Sequence, residues 1–386
     1  MFNEKSISFL KRLSESFGPS GFEREPVKIV KEYVSEYVDE IIMDKMGSLI
    51  FKKEGEDKDG PRILLPGHVD EVGFIVSSIT DEGYLTFNTL GGWFDQVLLS
   101  QRVQVRTMEG DLVFGVIASK PPHILPPEER NKVVKKSMMY IDVGCSSDKE
   151  VEKLGIRIGD PIVPYSEFTM FDRIKIIEDE KEKEKTGETT PQEKTVKMIA
   201  GKAFDDRIGA FVSAEVVRKL SEENIPHKNV VFGAATVQEE VGLRGARTTA
   251  HVVDPSVAIV LEVDIAGDVP GIKPNQAPSK LNKGVSIITY DASMVPNQPL
   301  KELVIRTAEE DNIPYQLSAV AGGGTDAGII HISRAGCPSI VFGIPTRHIH
   351  SHVGIACLED VKATIDLTIE VIKKLDREVV ESLTAV

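Results

Sequence analysis

Apolar residues change their spacing several times along this chain, and each change predicts a different kind of element. From Pro26 to Ile42, Val27, Val30, Val34, Val38 and Ile41 recur every three or four residues, which predicts a helix. Gly18-Pro19-Ser20-Gly21 separates it from an earlier helix over about Ser6–Phe17. Arg62–Pro66 is a short apolar run with the length of a buried strand, and it leads into Gly67-His68-Val69-Asp70-Glu71. From Gly73 to Pro164 the texture becomes short and alternating, with Gly73–Ile79, Tyr84–Asn88, Arg102–Thr107 and Leu112–Ala118 set between turn residues. No helical period intervenes, so this stretch predicts a small β-rich unit inserted into the chain. After about Lys202, helices and strands alternate. Arg207–Leu220, Lys301–Asp311 and Glu359–Leu383 predict helices, and Val230–Thr236, Val257–Val263, Val285–Thr289 and Ser339–Ile344 predict buried strands. That alternation implies an α/β layer with a substantially parallel sheet. Glu178–Lys197 is almost wholly charged or small and polar, and reads as a solvated excursion.

Composition narrows the class of partner. The 386 residues carry 46 Lys and Arg against 60 Asp and Glu, a formal net charge of −14. Nucleic-acid binders present basic faces to phosphates, so this balance argues against nucleic acid and against anionic membrane surfaces. No apolar run approaches the roughly 20 residues a membrane helix needs. The N-terminal MFNEKSISFLKRL has no apolar core of a secretory signal. Cys145, Cys337 and Cys357 are scattered and odd in number, as in a reducing compartment. A cytoplasmic protein is therefore expected.

The candidate chemistry lies where the predicted strands end. Arg62–Pro66 leads to His68 and Asp70, Val230–Thr236 to Glu239 and Glu240, and Val257–Val263 to Asp264. Ser339–Ile344 leads to Arg347, His348, His350 and His352, and Asp205-Asp206 precede a predicted helix. Open α/β sheets bind ligands beyond the carboxyl ends of their strands, so these groups can converge from distant positions. Imidazoles and carboxylates without a thiolate suit Zn²⁺, Co²⁺ or Mn²⁺. Crowded carboxylates repel and raise each other's pKa, which two divalent cations would relieve. Taken singly, each signal has a simpler reading. Glu239-Glu240 could complement a helix dipole, and Asp205-Asp206 could cap a helix. His227, His251 and His331 read as hydrogen-bonded structural residues, and His123 as a surface or packing residue.

Together these pieces resemble the M42 family of metallo-aminopeptidases, which includes glutamyl aminopeptidase and the tetrahedral aminopeptidases. The resemblance is carried by Gly67-His68-Val69-Asp70-Glu71-Val72-Gly73, Gly91-Gly92-Trp93, Lys120-Pro121-Pro122-His123, Ile141-Asp142-Val143-Gly144 and Phe204-Asp205-Asp206-Arg207. It continues in Gln238-Glu239-Glu240-Val241-Gly242, Gly323-Gly324-Thr325-Asp326-Ala327 and Pro345-Thr346-Arg347-His348-Ile349-His350-Ser351, in family order over nearly the whole chain. It implies a catalytic three-layer α/β/α domain with a mostly parallel sheet, formed by residues 1–72 and 165–386. Residues 73–164 would be an inserted, β-barrel-like dimerisation domain. It implies two divalent metal ions per subunit, Zn or Co. His68 and Asp264 would hold one, Glu240 and His350 the other, and Asp205 would bridge them. His348 and His352 are the other candidates in the histidine run. Asp70 would orient the His68 ring, and Glu239 would be general base and acid toward a metal-bridging water. The implied activity is release of N-terminal residues from peptide substrates by a homo-oligomer, from dimer to dodecamer. Endoglucanase or another metal-dependent amide hydrolase is the alternative.

Overall fold

A computed structural model describes residues 2–177, 192–319 and 322–385. Its large sheet contains β1 (Glu40–Met43), β2 (Leu49–Glu54) and β3 (Arg62–His68). The barrel follows, as β4 (Gly73–Ile79), β5 (Tyr84–Leu90), β6 (Arg102–Arg106), β7 (Leu112–Ala118), β8 (Tyr140–Asp142) and β9 (Pro161–Pro164). The chain then returns to the large sheet as β10 (Thr169–Ile177), β11 (Gln192–Gly201), β12 (Val230–Thr236), β13 (Val257–Ile265), β14 (Val285–Tyr290), β15 (Tyr315–Ala319), β16 (Ser339–Arg347) and β17 (Gly354–Cys357).

The sheet runs β1-β2-β12-β3-β13-β16-β17-β11-β10, with β14 beside β16 and β15 beside β14. It is mixed. Its centre, β12-β3-β13-β16, is parallel, antiparallel pairs form both ends of that row, and the side branch pairs β14 antiparallel with β16 and β15 parallel with β14. Alternation along the central strands feeds two apolar layers. Val257, Ile259 and Leu261 join Ile340, Phe342 and Ile344 against helices Glu4–Glu15, Arg24–Val34, Phe204–Glu222, Gln298–Glu310 and Leu358–Lys374. Ala258, Val260 and Val341 face the other way, onto helices Arg244–Val253 and Ala327–Ile330. Successive strand residues point to opposite faces, so one apolar run serves both layers. The insertion closes into a barrel in the order β4-β5-β8-β7-β6-β9, around Phe74, Leu85, Trp93, Val103, Val105, Ile117 and Ile162.

Three expectations are corrected. The helix expected over Pro26–Ile42 ends at Val34, and Ile41 lies in β1, paired with Phe51. The three-to-four spacing continued across the break because Val38 and Ile41 still pack against the same core. The helix expected over Glu359–Leu383 breaks after Lys374, where the Asp376 side chain accepts the Val379 N–H at 3.0 Å and starts a second helix, Arg377–Ser382. The charged stretch Glu178–Lys197 is in part strand. Gln192–Lys197 belong to β11 and pair antiparallel with β10, while residues 178–191 lie outside the described residues. Charge is tolerated there because the hairpin is marginal. Lys197 opposes Asp172 at 2.6 Å while Val196 and Met198 point inward.

Candidate metal centre

The parallel strands deliver the site. His68 is the last residue of β3, Glu239 and Glu240 follow β12, Glu262 stands near the end of β13, and His350 follows β16. Asp205 comes from the first turn of helix Phe204–Glu222, where its backbone departs from helical angles (φ −83°, ψ 105°). These side chains form two groups that share one member. His68, Asp205 and Glu262 gather on one side, and Asp205, Glu240 and His350 on the other. Asp205 divides its oxygens between them. Its Oδ1 lies 3.2 Å from His68 Nε2 and its Oδ2 lies 3.3 Å from His350 Nε2. Glu262 Oε2 lies 3.9 Å from His68 Nε2, and Glu240 Oε2 lies 3.5 Å from His350 Nε2.

Each ring is oriented from behind. His68 Nδ1 donates to the Asp70 carbonyl at 3.1 Å, with the Asp70 carboxylate at 3.5 Å, and His350 Nδ1 donates to the Gly92 carbonyl at 2.7 Å. Both Nε2 atoms are thereby left for the centre, the arrangement metal-binding imidazoles usually have. The Asp70 carboxylate also accepts the backbone N–H groups of Glu239 (3.0 Å) and Glu240 (3.2 Å) and the Ser20 hydroxyl (2.7 Å). Asp206 belongs to neither group and accepts the N–H groups of His68 (3.1 Å) and Gly209 (3.0 Å). Arg207, fully buried, donates to the carbonyls of Leu13, Ser14, Ser16, Gly18 and Val69 and to Glu71, fixing this turn to the N-terminal helices.

The electrostatics are those of crowded buried acids. Burial, then the charges of Glu262, Asp326 and the adjacent Glu240, push Glu239 far above the ordinary glutamate range. Burial and the Asp205 charge raise Glu240 to about 8, and burial with the Asp206 charge raises Glu262 strongly. Against the burial that would lower it, Asp205 and Glu240 raise His350 to about 10. Such a cluster draws cations. Glu240 Oε1 is buried without a hydrogen-bond partner among the described residues. An orphaned carboxylate oxygen, a carboxylate split between two imidazoles and a donor set of nitrogen and oxygen fit a pair of divalent cations.

Sequence reasoning placed His68, Asp70, Asp205, Glu239, Glu240 and His350, and the fold brings all six together. Asp264 is different. It was expected beside His68, but the carboxylate that reaches His68 is that of Glu262. Two residues along a strand keep the same face but move about 6.6 Å. Asp264 there leans over Gly343 toward β14, where a Cβ on Gly343 would meet the Asp264 Cβ at 2.7 Å. Its Oδ2 accepts the hydroxyls of Ser279 and Ser286, the latter at 2.6 Å. The signal for Glu262 was a single charge inside the otherwise apolar run VAIVLEV. Neither His348 nor His352 belongs to either group, and the buried His352 ring rests against Trp93 at 5.3 Å between ring centres. His227 Nδ1 bonds to the Asn229 carbonyl at 3.0 Å and His331 Nδ1 to the Ala327 carbonyl at 2.8 Å, as structural residues do. Asp326 stands out in the sequence only as part of the motif Gly323-Gly324-Thr325-Asp326-Ala327. It is buried, its Oδ2 accepts the Thr236 hydroxyl at 2.7 Å, and its charge bears on Glu239.

The family described as M42 glutamyl aminopeptidase matches residues 47–179 and 186–367. The chain is 57% identical to a TET aminopeptidase from a marine sediment archaeon of the Thaumarchaeota, with a TM-score of 0.90 over 99% of this chain and 100% of that one. It is 34% identical over 362 residues to FrvX of Escherichia coli, an aminopeptidase by provisional assignment, covering 94% of this chain and 93% of FrvX. It is 28% identical to the TET1 peptidase of Pyrococcus horikoshii, which can assemble into a tetrahedron or a large octahedral shell, with a TM-score of 0.79 over 96% of this chain and 100% of that one.

Proposed function

Because the chain belongs to the M42 glutamyl aminopeptidase family, we propose that it is a metal-dependent aminopeptidase that removes N-terminal residues from peptides. The observation that carries this reading is Asp205, whose two oxygens face two separate histidine-carboxylate groups. His68 and Glu262 would hold one divalent cation, Glu240 and His350 the other, and Asp205 both. Zn²⁺ or Co²⁺ suits these donors. When bound, such ions supply Lewis acidity toward a peptide carbonyl and lower the pKa of water.

The chain's own residues do the rest. Glu239 stands at the centre, 3.7 Å from His68 Nε2, and its carboxylate is in neither cation-holding group. It is free to take a proton from the attacking water and to return it to the leaving amine. Asp70 fixes the backbone of Glu239 and Glu240 through their N–H groups, so base and ligand keep one spacing. A cleft of about 410 Å³, lined by Gly322–Gly324, Thr325, Leu243 and Ile288, admits the substrate. The barrel, residues 73–164, is proposed as the dimerisation domain of a homo-oligomer, with Phe94, Phe114, Ile124 and Met138 exposed on it.

Two measurements test this reading. Exhaustive chelation is expected to abolish turnover of aminoacyl anilides, and Zn²⁺ or Co²⁺ to restore it. Glu239→Gln is expected to keep its metal content by elemental analysis and to lose about 10²–10⁴ in kcat. Activity that survives chelation refutes the metal requirement, and full turnover by Glu239→Gln refutes the base.

A further inference from the structure

We propose that Asp264 selects a basic side chain, Lys or Arg, on the N-terminal residue of the substrate. The inference rests on the aminopeptidase reading and adds the substrate class to it. Asp264 lines the same cleft as Glu239 and Glu262. It stands one strand repeat, about 6.6 Å, beyond Glu262 on the same face of β13. That offset matches the reach of an extended four-carbon ammonium side chain whose backbone lies at the metal centre.

The charge left in the cleft points the same way. Two divalent ions would offset Asp205, Glu239, Glu240 and Glu262. The remaining acids of the lining are Asp264 and Asp291, and no lysine or arginine is among the described residues that line it. Asp291 is already committed. Its Oδ1 accepts from Ser293 and Met294, and its Oδ2 accepts from Thr325. Asp264 is committed on one side only. Its Oδ2 holds the Ser279 and Ser286 hydroxyls, and its Oδ1 takes no hydrogen bond among the described residues. The two hydroxyls and the bare face of Gly343 set the carboxylate in place beforehand, so little ordering is left for binding. Leu243, Ile265, Ile288 and Ile349 supply apolar wall for the methylene stem of a long cationic side chain.

The test is a comparison of kcat/KM for the p-nitroanilides of lysine, norleucine, leucine and glutamate with the Zn²⁺- or Co²⁺-loaded wild-type protein. Lysine is expected to exceed norleucine by at least about tenfold, equivalent to about 1.4 kcal/mol, and glutamate to be the poorest of the four. Asp264→Asn is expected to collapse the lysine to norleucine ratio toward one, and Asp264→Glu to keep it above one. If Asp264→Asn fails to fold, free L-lysine and L-norleucine are compared as competitive inhibitors of the wild type. Tighter inhibition by lysine, by at least about tenfold, supports the inference, and equal inhibition overturns it. A wild-type ratio of one or less, or an undiminished ratio in folded Asp264→Asn, overturns the inference while leaving the aminopeptidase reading intact. Turnover of none of the four overturns that reading, and this inference with it.

Discussion

Asp70 reaches the centre only through other groups, yet it orders both halves of it. One carboxylate, buried among polar partners, receives the Glu239 and Glu240 N–H groups and the Ser20 hydroxyl and stands behind the His68 ring. Burial opposes its charge, but these hydrogen bonds and His68 win, and its pKa is held below the ordinary value. Replacing it with Asn puts an amide donor where two N–H groups already donate. Asp70→Asn is therefore expected to weaken metal binding by about 10–100-fold, read by metal titration of the folded variant. Unchanged affinity counts against the role given to Asp70. At this scale the sequence was informative at His68, Glu240 and His350, polar residues at or beyond the ends of buried strands. It was misleading at Glu262 and Asp264, because both lie on the same face of one strand. Which of them reaches His68 depends on neighbouring strands.

Between the two structural units the working contact is a short segment of backbone. Gly91-Gly92-Trp93 leaves the barrel and supplies the Gly92 carbonyl that orients His350. Trp93 Nε1 donates to the Gly73 carbonyl at 3.1 Å, and the Trp93 ring meets Phe74 and His352, so the segment is held from both sides. A Cβ on Gly92 would meet His350 Nδ1 at 3.1 Å, tighter than ordinary packing. Gly92→Ala is expected to shift the ring and lower affinity at one of two metal positions by about tenfold, with far-UV circular dichroism unchanged. Two equal, undisturbed sites in that variant sink the argument. The β-rich insertion was legible from alternation and turns, whereas its barrel form was implied only by the family resemblance. The β10-β11 hairpin was not legible, because a margin strand exposed on its charged face resembles a solvated loop in composition.

For the whole molecule, the net charge of −14 conceals acids held protonated by burial. Burial and Asp70 raise Glu23 to about 7, burial raises Asp360 to about 7, and Glu240 reaches about 8. Their unfolded values lie near 4. Between those limits the folded chain binds more protons than the unfolded chain, so its stability falls as pH rises. His350, raised to about 10, acts in the same direction above its ordinary range. The metal-free protein is expected to lose Tm steadily from pH 5 to pH 8, and saturating Zn²⁺ to restore more at pH 8 than at pH 5. A flat or rising apo profile in differential scanning calorimetry contradicts this.

The exposed apolar residues Phe94, Phe114, Ile124 and Met138 sit on the barrel. Native mass spectrometry is expected to find an oligomer, and Ile124→Asp with Met138→Asp to yield smaller species. A monomeric wild type contradicts the proposed dimerisation role. Sequence alone determined the alternation of helices and strands, the β-rich insertion and the residue types of the centre, because apolar periodicity and strand-end polarity are local properties of the chain. Tertiary structure decided that Glu262 rather than Asp264 faces His68, that Asp205 turns one oxygen to each histidine, and that a barrel carbonyl orients His350. Those outcomes depend on the register of β13 against β3 and β16 and on the docking of the barrel, which no local pattern encodes.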